Sequence, residues 1–258
     1  MKSEVTYASS QGPREEQEDY YFLSCIEEND LSGWLLAVMD GHEGKEVAEF
    51  CAKKIAKLFK INQADQTEEA LRVLIEKLHY GTFSFECGST ISAAIILESH
   101  RKVSVAILGD SPVIVLDKNG QLHISPEHNI RSNSKELEAV KKRGGIYDDG
   151  YIFADKEHSG IQMSRALGNH HLSKIISREP DVYTIVDPQW VLIASDGVFD
   201  PGHESGFTGL EEIKKLALSR ATAQDIIKWA ETSGLKDNAT ALVWQKPTLT
   251  QRIMRWVF

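Results

Sequence analysis

Apolar residues recur three and four positions apart in several stretches of the chain, a spacing typical of amphipathic helices. One stretch follows Gly44 and runs from Val47 to Phe59, with lysines between its apolar positions. A second helix is predicted from Thr67, its N-cap, to Leu78, with two glutamates in the first turn. Further helices are predicted at 134–143, 210–218 and, capped by Thr222, 223–231.

Short runs rich in β-branched residues lie between these helices, separated by polar turns, as expected for antiparallel strands. They occupy 89–97, 103–108, 113–116, 122–124, 182–186, 191–194 and 239–244. An Asn-Gly turn at Asn119-Gly120 joins the third run to the fourth. Because meandering strands alternate with pairs of helices, the pattern predicts an α+β fold in which sheets pack together and helices cover them.

The composition of the chain argues against several classes of function. The chain has 258 residues, and 29 lysines and arginines against 38 aspartates and glutamates give a net charge of −9. This balance argues against a nucleic-acid partner, because phosphates need a basic face. The longest apolar runs are strand-sized, so we expect no transmembrane segment, and the first residues lack the apolar core of a secretory signal. The default expectation is therefore a cytoplasmic protein.

Cysteine usage and the absence of repeats indicate how the chain is organised. Cys25, Cys51 and Cys87 are odd in number, widely spaced and outside any C-x-x-C motif. This usage favours reduced thiols in core positions over a disulfide framework or a zinc site. No internal repeat or flexible linker interrupts the chain, so we expect one domain from end to end.

Aspartates stand where predicted strands end. Asp40, Asp110 and Asp196 each follow a buried-looking apolar run, and Asp237 opens the last strand. A glycine adjoins each of the first three, which lets the backbone bend or approach a ligand closely. Carboxylates gathered at strand ends repel one another, so in a partly desolvated cleft they need cations between them.

Carboxylate and carbonyl oxygens are the ligands that Mg²⁺ and Mn²⁺ prefer. Two such ions sharing one aspartate can clamp an in-line phosphoryl displacement while lowering the pKa of a bridging water. Each Asp-Gly pair taken alone is more simply explained as a turn. Four acids in the same context favour a metal-dependent hydrolase that has no protein nucleophile.

Several short motifs occur in a fixed order along nearly the whole chain, about 7–244. They are Arg14-Glu15-Glu16-Gln17-Glu18-Asp19, Asp40-Gly41-His42, Gly88-Ser89-Thr90, Gly109-Asp110-Ser111, Ser164-Arg165-Ala166-Leu167-Gly168, Ser195-Asp196-Gly197-Val198-Phe199-Asp200 and Asp237-Asn238-Ala239-Thr240. This ordered set resembles the metal-dependent protein phosphatase 2C family. The resemblance implies an α+β fold with a central sandwich of two antiparallel β-sheets flanked by helix pairs, a four-layer αββα arrangement. It implies a catalytic domain at 1–246 and a C-terminal tail at 247–258.

The resemblance also implies a centre with two Mn²⁺ or Mg²⁺ ions. Asp40 would bridge the two ions, and the Gly41 carbonyl would hold one of them. Asp196 and Asp237 would hold the other ion.

Further acids would act around these two ions. Glu18 and Asp19 would act mainly through metal-bound waters. Asp110 and Asp196 would form a third, weaker metal site, with Asp200 close by.

The resemblance implies that an arginine and a histidine act on the substrate itself. Arg14 stands five residues before Asp19, the spacing of the family's phosphate-binding arginine, and a guanidinium fork fits phosphate oxygens at two points. His42 stands at the position of the family's candidate general acid for the leaving serine or threonine oxygen. The alternatives without a catalytic role are that Arg14 is a solvated surface charge and that His42 is a turn histidine. The pair His170-His171 is interpreted as solvent-facing or packing residues.

The chain departs from the family pattern outside the implied metal ligands. The departures are Glu43 before Gly44, Pro112 after Gly-Asp-Ser, Glu127 in place of an aspartate before His128, and Asn169 in place of an aspartate. They affect substrate docking and the flap, predicted as a mobile acidic loop at 145–162. The basic, apolar residues 251–258 are interpreted as a tail docked on its own domain or frayed, with contact to a partner or membrane surface as the alternative.

The leading hypothesis is a monomeric phosphatase that removes phosphate from serine and threonine of proteins by direct attack of a metal-bridging water or hydroxide. It would act on a phosphorylated protein substrate and oppose a serine/threonine kinase in a signalling circuit. One alternative is a pseudophosphatase, a binding module without turnover. The other is a phosphatase that acts on a small phosphoester.

Overall fold

Antiparallel β-strands packed in two layers form the centre of the protein in the computed structural model, which describes residues 3–28, 30–155, 157–199 and 210–247. In chain order the strands are β1 (Glu4–Ser10), β2 (Asp19–Glu28), β3 (Leu31–His42), β4 (Gly88–Ser89), β5 (Ile91–Leu97), β6 (Lys102–Leu108), β7 (Val113–Asp117), β8 (Leu122–Ile124), β9 (Ile146–Asp148), β10 (Tyr151–Phe153), β11 (Leu167–Gly168), β12 (Asp181–Val186), β13 (Pro188–Ala194) and β14 (Ala239–Gln245). One sheet has the order β1-β14-β13-β7-β8. The other has the order β11-β4-β3-β5-β6-β12, with β2 paired to β3.

The side chains of β3 explain why the sheets stack. Leu36 and Val38 are fully buried and pack against apolar residues of the facing sheet. Leu35, Ala37 and Met39 point the other way, into a second core beneath helices. Because successive side chains of a strand alternate between faces, a run that is apolar at every position must be covered on both sides.

Helix pairs supply that outer cover. The helices are α1 (Glu46–Leu58), α2 (Thr67–Thr82), α3 (Ser134–Lys142), α4 (Leu210–Leu218) and α5 (Ala223–Thr232). Helices α1 and α2 cover the sheet that contains β3, while α4 and α5 cover the sheet that contains β14. This is the predicted four-layer αββα sandwich, so the predicted fold class is confirmed.

The predicted helices are all present, with small differences at their ends. Thr222 caps α5 through a reciprocal capping box with Asp225. The prediction that Thr67 is the N-cap of α2 is wrong, since Gln66 precedes the helix and makes no side-chain cap bond. The Thr67 hydroxyl instead lies 2.7 Å from the Ser104 hydroxyl, because this end of α2 packs directly on β6.

The strands that the sequence did not predict lie at sheet edges or in the flap. β1 mixes half-buried and exposed positions, and the apolar run of β2 at 20–23 is only half-buried at the edge of its sheet. The flap contains the hairpin β9–β10 rather than a mobile loop alone. Ile152 is fully buried there and exchanges two backbone hydrogen bonds with Ile161. The run predicted as one strand at 89–97 is broken at Thr90.

The three cysteines are free thiols in unlike environments. Cys51 is buried in the core and Cys87 is half-buried, but Cys25 is exposed on the edge strand β2. The prediction of three core thiols is therefore wrong for Cys25, whose strand has one open face. No helix in the described ranges is long and apolar enough to cross a membrane. Most of the predicted tail, 248–258, and Asp200 lie outside the described residues.

Substitution of Leu36 tests the core between the sheets. We expect Leu36→Ala to lower the free energy of unfolding by about 2–5 kcal/mol, because it leaves a cavity between two packed sheets. Urea titration measures this loss. Val186→Ala is the control, since Val186 is 67% exposed and its truncation should change stability by less than about 0.5 kcal/mol. Equal losses in the two variants would contradict this account of the core.

Candidate functional site

The register of β2 and β3 places two predicted metal residues opposite each other. Asp19 is the antiparallel partner of Asp40. The Gly41 amide donates to the Glu18 carbonyl at 3.2 Å, and a Cβ at Gly41 would lie only 2.7 Å from that oxygen. A side chain at position 41 would therefore force the two strand ends apart, which explains the glycine after Asp40.

The other sheet contributes Asp196 and Asp237. Asp196 begins a short 3-10 helix directly after β13, and Asp237 lies two residues before β14. A hydrogen bond joins the two sheets here, since the Ser195 hydroxyl donates to Asp19 Oδ2 at 2.7 Å. The ends of strands from both sheets thus meet at one edge of the sandwich.

Mutual repulsion shows that the predicted acids converge. Burial raises the pKa of Asp40 well above its usual range, and the charges of Asp19, Asp196, Asp110 and Asp237 raise it further, in that order of size. Like charges shift one another's pKa in this way only at short range. The structure therefore brings five of the predicted acids into one cluster.

The pKa values of other acids in this cluster are also raised. Burial raises the pKa of Asp19 to about 7, and Asp19 Oδ1 is buried without a hydrogen-bond partner. Burial, with the charge of Asp196, raises the pKa of Asp110 to about 8, although Asn129 donates to Asp110 Oδ2 at 2.9 Å. The pKa of Glu18 is raised as well, mainly by burial.

The chemistry of this cluster fits divalent cations. An orphaned buried carboxylate oxygen and several acids with raised pKa values are stabilised when a hard cation neutralises them. In the described part of the chain, however, no three His, Cys, Asp or Glu side chains are grouped closely enough to hold an ion by themselves. The acids are assembled as one charged cluster rather than as a closed coordination shell.

Arg14 lies at the rim of the cluster. Its Nη2 is 2.6 Å from Asp237 Oδ2, and its Nε donates to the Lys236 carbonyl at 3.4 Å. The side chain is 46% exposed, so an incoming anion can reach the guanidinium. Arg14 is thus an exposed arginine that is paired with an acid of the cluster.

His42 ends β3 beside the cluster. Its Nε2 lies 2.7 Å from Asn169 Oδ1, while the Asn169 amide nitrogen faces the Glu86 carbonyl at 3.4 Å. Because the carbonyl oxygen of Asn169 can only accept, His42 Nε2 carries the hydrogen. His42 Nδ1 is buried without a partner, and burial lowers the pKa of the ring.

Sequence reasoning missed the role of Asn238, which holds the N-terminal segment against the cluster. The Glu18 amide donates to Asn238 Oδ1 at 2.7 Å. The Asn238 amide donates in turn to the carbonyls of Gln11 and Glu16, at 2.8 and 2.9 Å. The only signal in the sequence is an asparagine inside the Asp237 motif, and its partners are more than 200 positions away.

Comparison with known sequences identifies the family. The sequence profile of the protein phosphatase 2C family matches residues 4–238. A probable protein phosphatase 2C, member 13, mitochondrial, from Oryza sativa subsp. japonica is 27% identical over 95% of this chain and 68% of its own. Protein phosphatase 1L from Bos taurus is 26% identical over 93% of this chain and 71% of its own.

Solved structures with this fold extend the comparison. A C. elegans sex-determining protein superposes with a TM-score of 0.76 and 24% identity, covering 95% of this chain and 65% of its own. The serine/threonine phosphatase Stp1 from Staphylococcus aureus superposes with a TM-score of 0.69 and 20% identity, covering 96% of both chains. At these identities the structures establish a shared fold.

The chain therefore belongs to the protein phosphatase 2C family. This family consists of metal-dependent protein serine/threonine phosphatases, and the predicted enzyme class is confirmed.

The raised pKa values predict that, without metal, the protein becomes less stable as the pH rises. The folded protein keeps protons on Asp19 and Asp110 up to about pH 7 and 8, whereas the unfolded chain releases them near pH 4. Since the folded state binds more protons in this window, the free energy of unfolding falls as the pH rises through it. In EDTA, the thermal midpoint should be lower at pH 8 than at pH 5.

Two comparisons isolate the acid cluster in this measurement. Asp110→Asn should reduce the difference in thermal midpoint between pH 5 and pH 8, while Asp65→Asn, at an exposed acid in the turn before α2, should not. Mn²⁺ should raise the midpoint more at pH 8 than at pH 5. A pH-independent midpoint in EDTA for the parent protein would contradict the proposed burial of mutually repelling acids.

Proposed function

We propose that this chain dephosphorylates phosphoserine and phosphothreonine in proteins, with its catalytic centre at the carboxylate cluster where the two sheets meet. The observation that carries this proposal is the convergence of the acids. Asp19 lies opposite Asp40 in the strand register, and Asp196, Asp110 and Asp237 lie near enough to raise the pKa of Asp40 further. A buried group of acids at strand ends has no structural benefit that apolar residues would not supply better. We therefore assign the buried acids to the reaction and not to the stability of the fold.

Two divalent cations, Mn²⁺ or Mg²⁺, would be held by residues from both sheets. Asp40 and the Gly41 carbonyl lie on β3, while Asp196 follows β13 and Asp237 precedes β14 of the other sheet. When bound, such ions polarise phosphoryl oxygens and lower the pKa of water. Asp237, which pairs with Arg14 in this structure, would bind a cation in place of that arginine.

The remaining acids would support these ligands. Glu18 and Asp19 lie on the N-terminal side of the cluster and would act through water molecules. Asp110, which is buried and bonded to Asn129, would hold a third and weaker site together with Asp196.

Arg14 would bind the substrate phosphate. Its guanidinium is held beside the cluster by Asp237 and by the Lys236 carbonyl. A planar guanidinium can engage two phosphate oxygens at once, which orients the phosphoryl group as well as neutralising it. The dianionic substrate and the carboxylate of Asp237 thus compete for one cation.

His42 would protonate the leaving serine or threonine oxygen. Asn169 fixes the ring by accepting from Nε2, which leaves Nδ1 as the ring atom free to carry the transferred proton. Burial lowers the pKa of His42, which makes its protonated form a stronger acid.

The biological setting is inferred from this chemistry. The substrate would be a phosphorylated protein, and a serine/threonine kinase would supply it. A monomer, a cytoplasmic location and a catalytic domain at 1–246 remain predictions. The cluster of mutually repelling acids speaks against a pseudophosphatase, because a binding module gains nothing from that repulsion.

Removal of one acid tests the catalytic centre. We expect Asp40→Asn and Asp196→Asn to lower kcat for p-nitrophenyl phosphate with Mn²⁺ by more than about 100-fold, because each removes a charge that would hold the cations. Excess EDTA should abolish the parent activity. Asp65→Asn, an exposed acid outside the cluster, is the matched control. Activity that persists in EDTA or in both variants would overturn the proposal.

Substitution of Arg14 separates phosphate binding from metal binding. Arg14→Gln should lower kcat/KM for a phosphopeptide by about 10- to 100-fold through loss of a two-point contact. The Mn²⁺ concentration needed for half-maximal activity should not rise, since Asp237 loses a competing cation. Arg72→Gln, at an exposed arginine of α2 that donates to the Pro180 carbonyl, is the matched control. A large rise in the Mn²⁺ requirement would show that Arg14 organises the metal ligands instead.

A further inference from the structure

A cavity of about 610 Å³ opens beside the catalytic cluster and takes no part in the roles assigned above. Its volume lies within the range of ligand pockets, roughly 300–1,000 Å³. The walls carry two carboxylates, Glu43 and Glu86, and three imidazoles, His158, His170 and His171. None of the described lining residues is a lysine or an arginine.

Two residues that line the cavity are chain neighbours of residues beside the reacting centre. Glu43 directly follows His42, and His170 directly follows Asn169, which bonds to the His42 ring at 2.7 Å. Consecutive Cα atoms are 3.80 Å apart, and an extended peptide advances about 3.3–3.6 Å per residue. A side chain within about three residues of the phosphorylated serine can therefore enter the cavity.

The imidazoles give the cavity flat walls. The rings of His158 and His171 are stacked, with centroids 5.6 Å apart and planes 25° from parallel. His171 also fixes the carboxylate wall, since its Nδ1 lies 3.2 Å from Glu86 Oε2 and its Nε2 lies 3.3 Å from the Ser159 carbonyl. The stacked rings thus lie beside carboxylates, since His171 contacts Glu86 and His158 Nδ1 lies 2.9 Å from Asp155 Oδ1.

We propose that this cavity binds the guanidinium of an arginine near the phosphorylated residue of the substrate, so that Glu43 and Glu86 determine sequence specificity. A guanidinium stacks on flat rings and bonds carboxylates at two points, whereas an ammonium group offers only a point charge. Glu43 and Glu86 supply the complementary charge, and the ring stack supplies the flat surface. The inference rests on the proposed function, because it concerns substrates of the same catalytic centre.

A peptide series tests the proposal directly. Phosphoserine peptides of alanine and glycine would carry a single arginine, in turn, at each position up to three residues before or after the phosphoserine. Each has a twin in which citrulline, the neutral isostere of arginine, replaces the arginine. With Mn²⁺ and the parent enzyme, we expect kcat/KM to be at least about tenfold higher for arginine than for citrulline at one position.

Enzyme variants assign that preference to the cavity. In Glu43→Gln combined with Glu86→Gln, the arginine-to-citrulline ratio should fall close to one. In Glu86→Lys it should fall below one. The ratio is internal to each variant, so it does not depend on the amount of folded enzyme. Glu28→Gln, an exposed acid at the far end of β2, should keep the parent ratio.

The outcomes separate this inference from the proposed function. If the parent enzyme hydrolyses p-nitrophenyl phosphate and all peptides but shows no arginine preference, the cavity proposal is wrong and the phosphatase remains. A preference that survives the double variant also refutes it, as does an equal preference for lysine. If nothing is hydrolysed with Mn²⁺, the proposed function fails and this inference fails with it.

Discussion

The repulsion among carboxylates buried at one edge of the sandwich is the constraint on which the rest of the structure depends. Asp40 lies among Asp19, Asp110, Asp196 and Asp237, and their charges and burial raise its pKa together. Two like charges 4 Å apart repel by about 4 kcal/mol at an effective dielectric of 20, so such a cluster tends to spread apart. It stays assembled because the strands that carry it are packed on both faces, by the opposite sheet and by a helix pair.

Hydrogen bonds between the sheets complete this restraint. Ser195 donates to Asp19 across the sandwich, and Asn238 holds the backbone of Glu18 and the segment before it. Thr90, which breaks the predicted long strand, accepts from the Asp40 amide at 3.1 Å and donates its own amide to the Asp40 carbonyl. These groups touch no reacting atom, yet they fix where the acids lie. The positions of the acids are therefore fixed by strand packing and by these hydrogen bonds.

The sequence predicted the strands and helices in which buried positions recur at a regular spacing. Residues 35–39 are apolar at every position because both faces of β3 are covered, and α1 shows a helical period because only one face is. Asp40, Asp110 and Asp196 were predicted for the same reason, since each follows such a run, whereas Asp237 precedes one. Edge strands such as β1 carry no comparable pattern. The bonds of Asn238 and the pair of Arg14 with Asp237 join residues more than 200 positions apart, so only tertiary packing reveals them.

The residues that depart from the family pattern lie around the acid cluster and not within it. Glu43 follows His42 with a positive φ of 59°, a conformation that a glycine would adopt without strain. Asn169 has a similar left-handed backbone and holds the His42 ring by its side-chain oxygen. The acids themselves stand at the motif positions on which the resemblance to the family rests. Variation at the rim can then change which protein is bound without altering how the phosphate is removed.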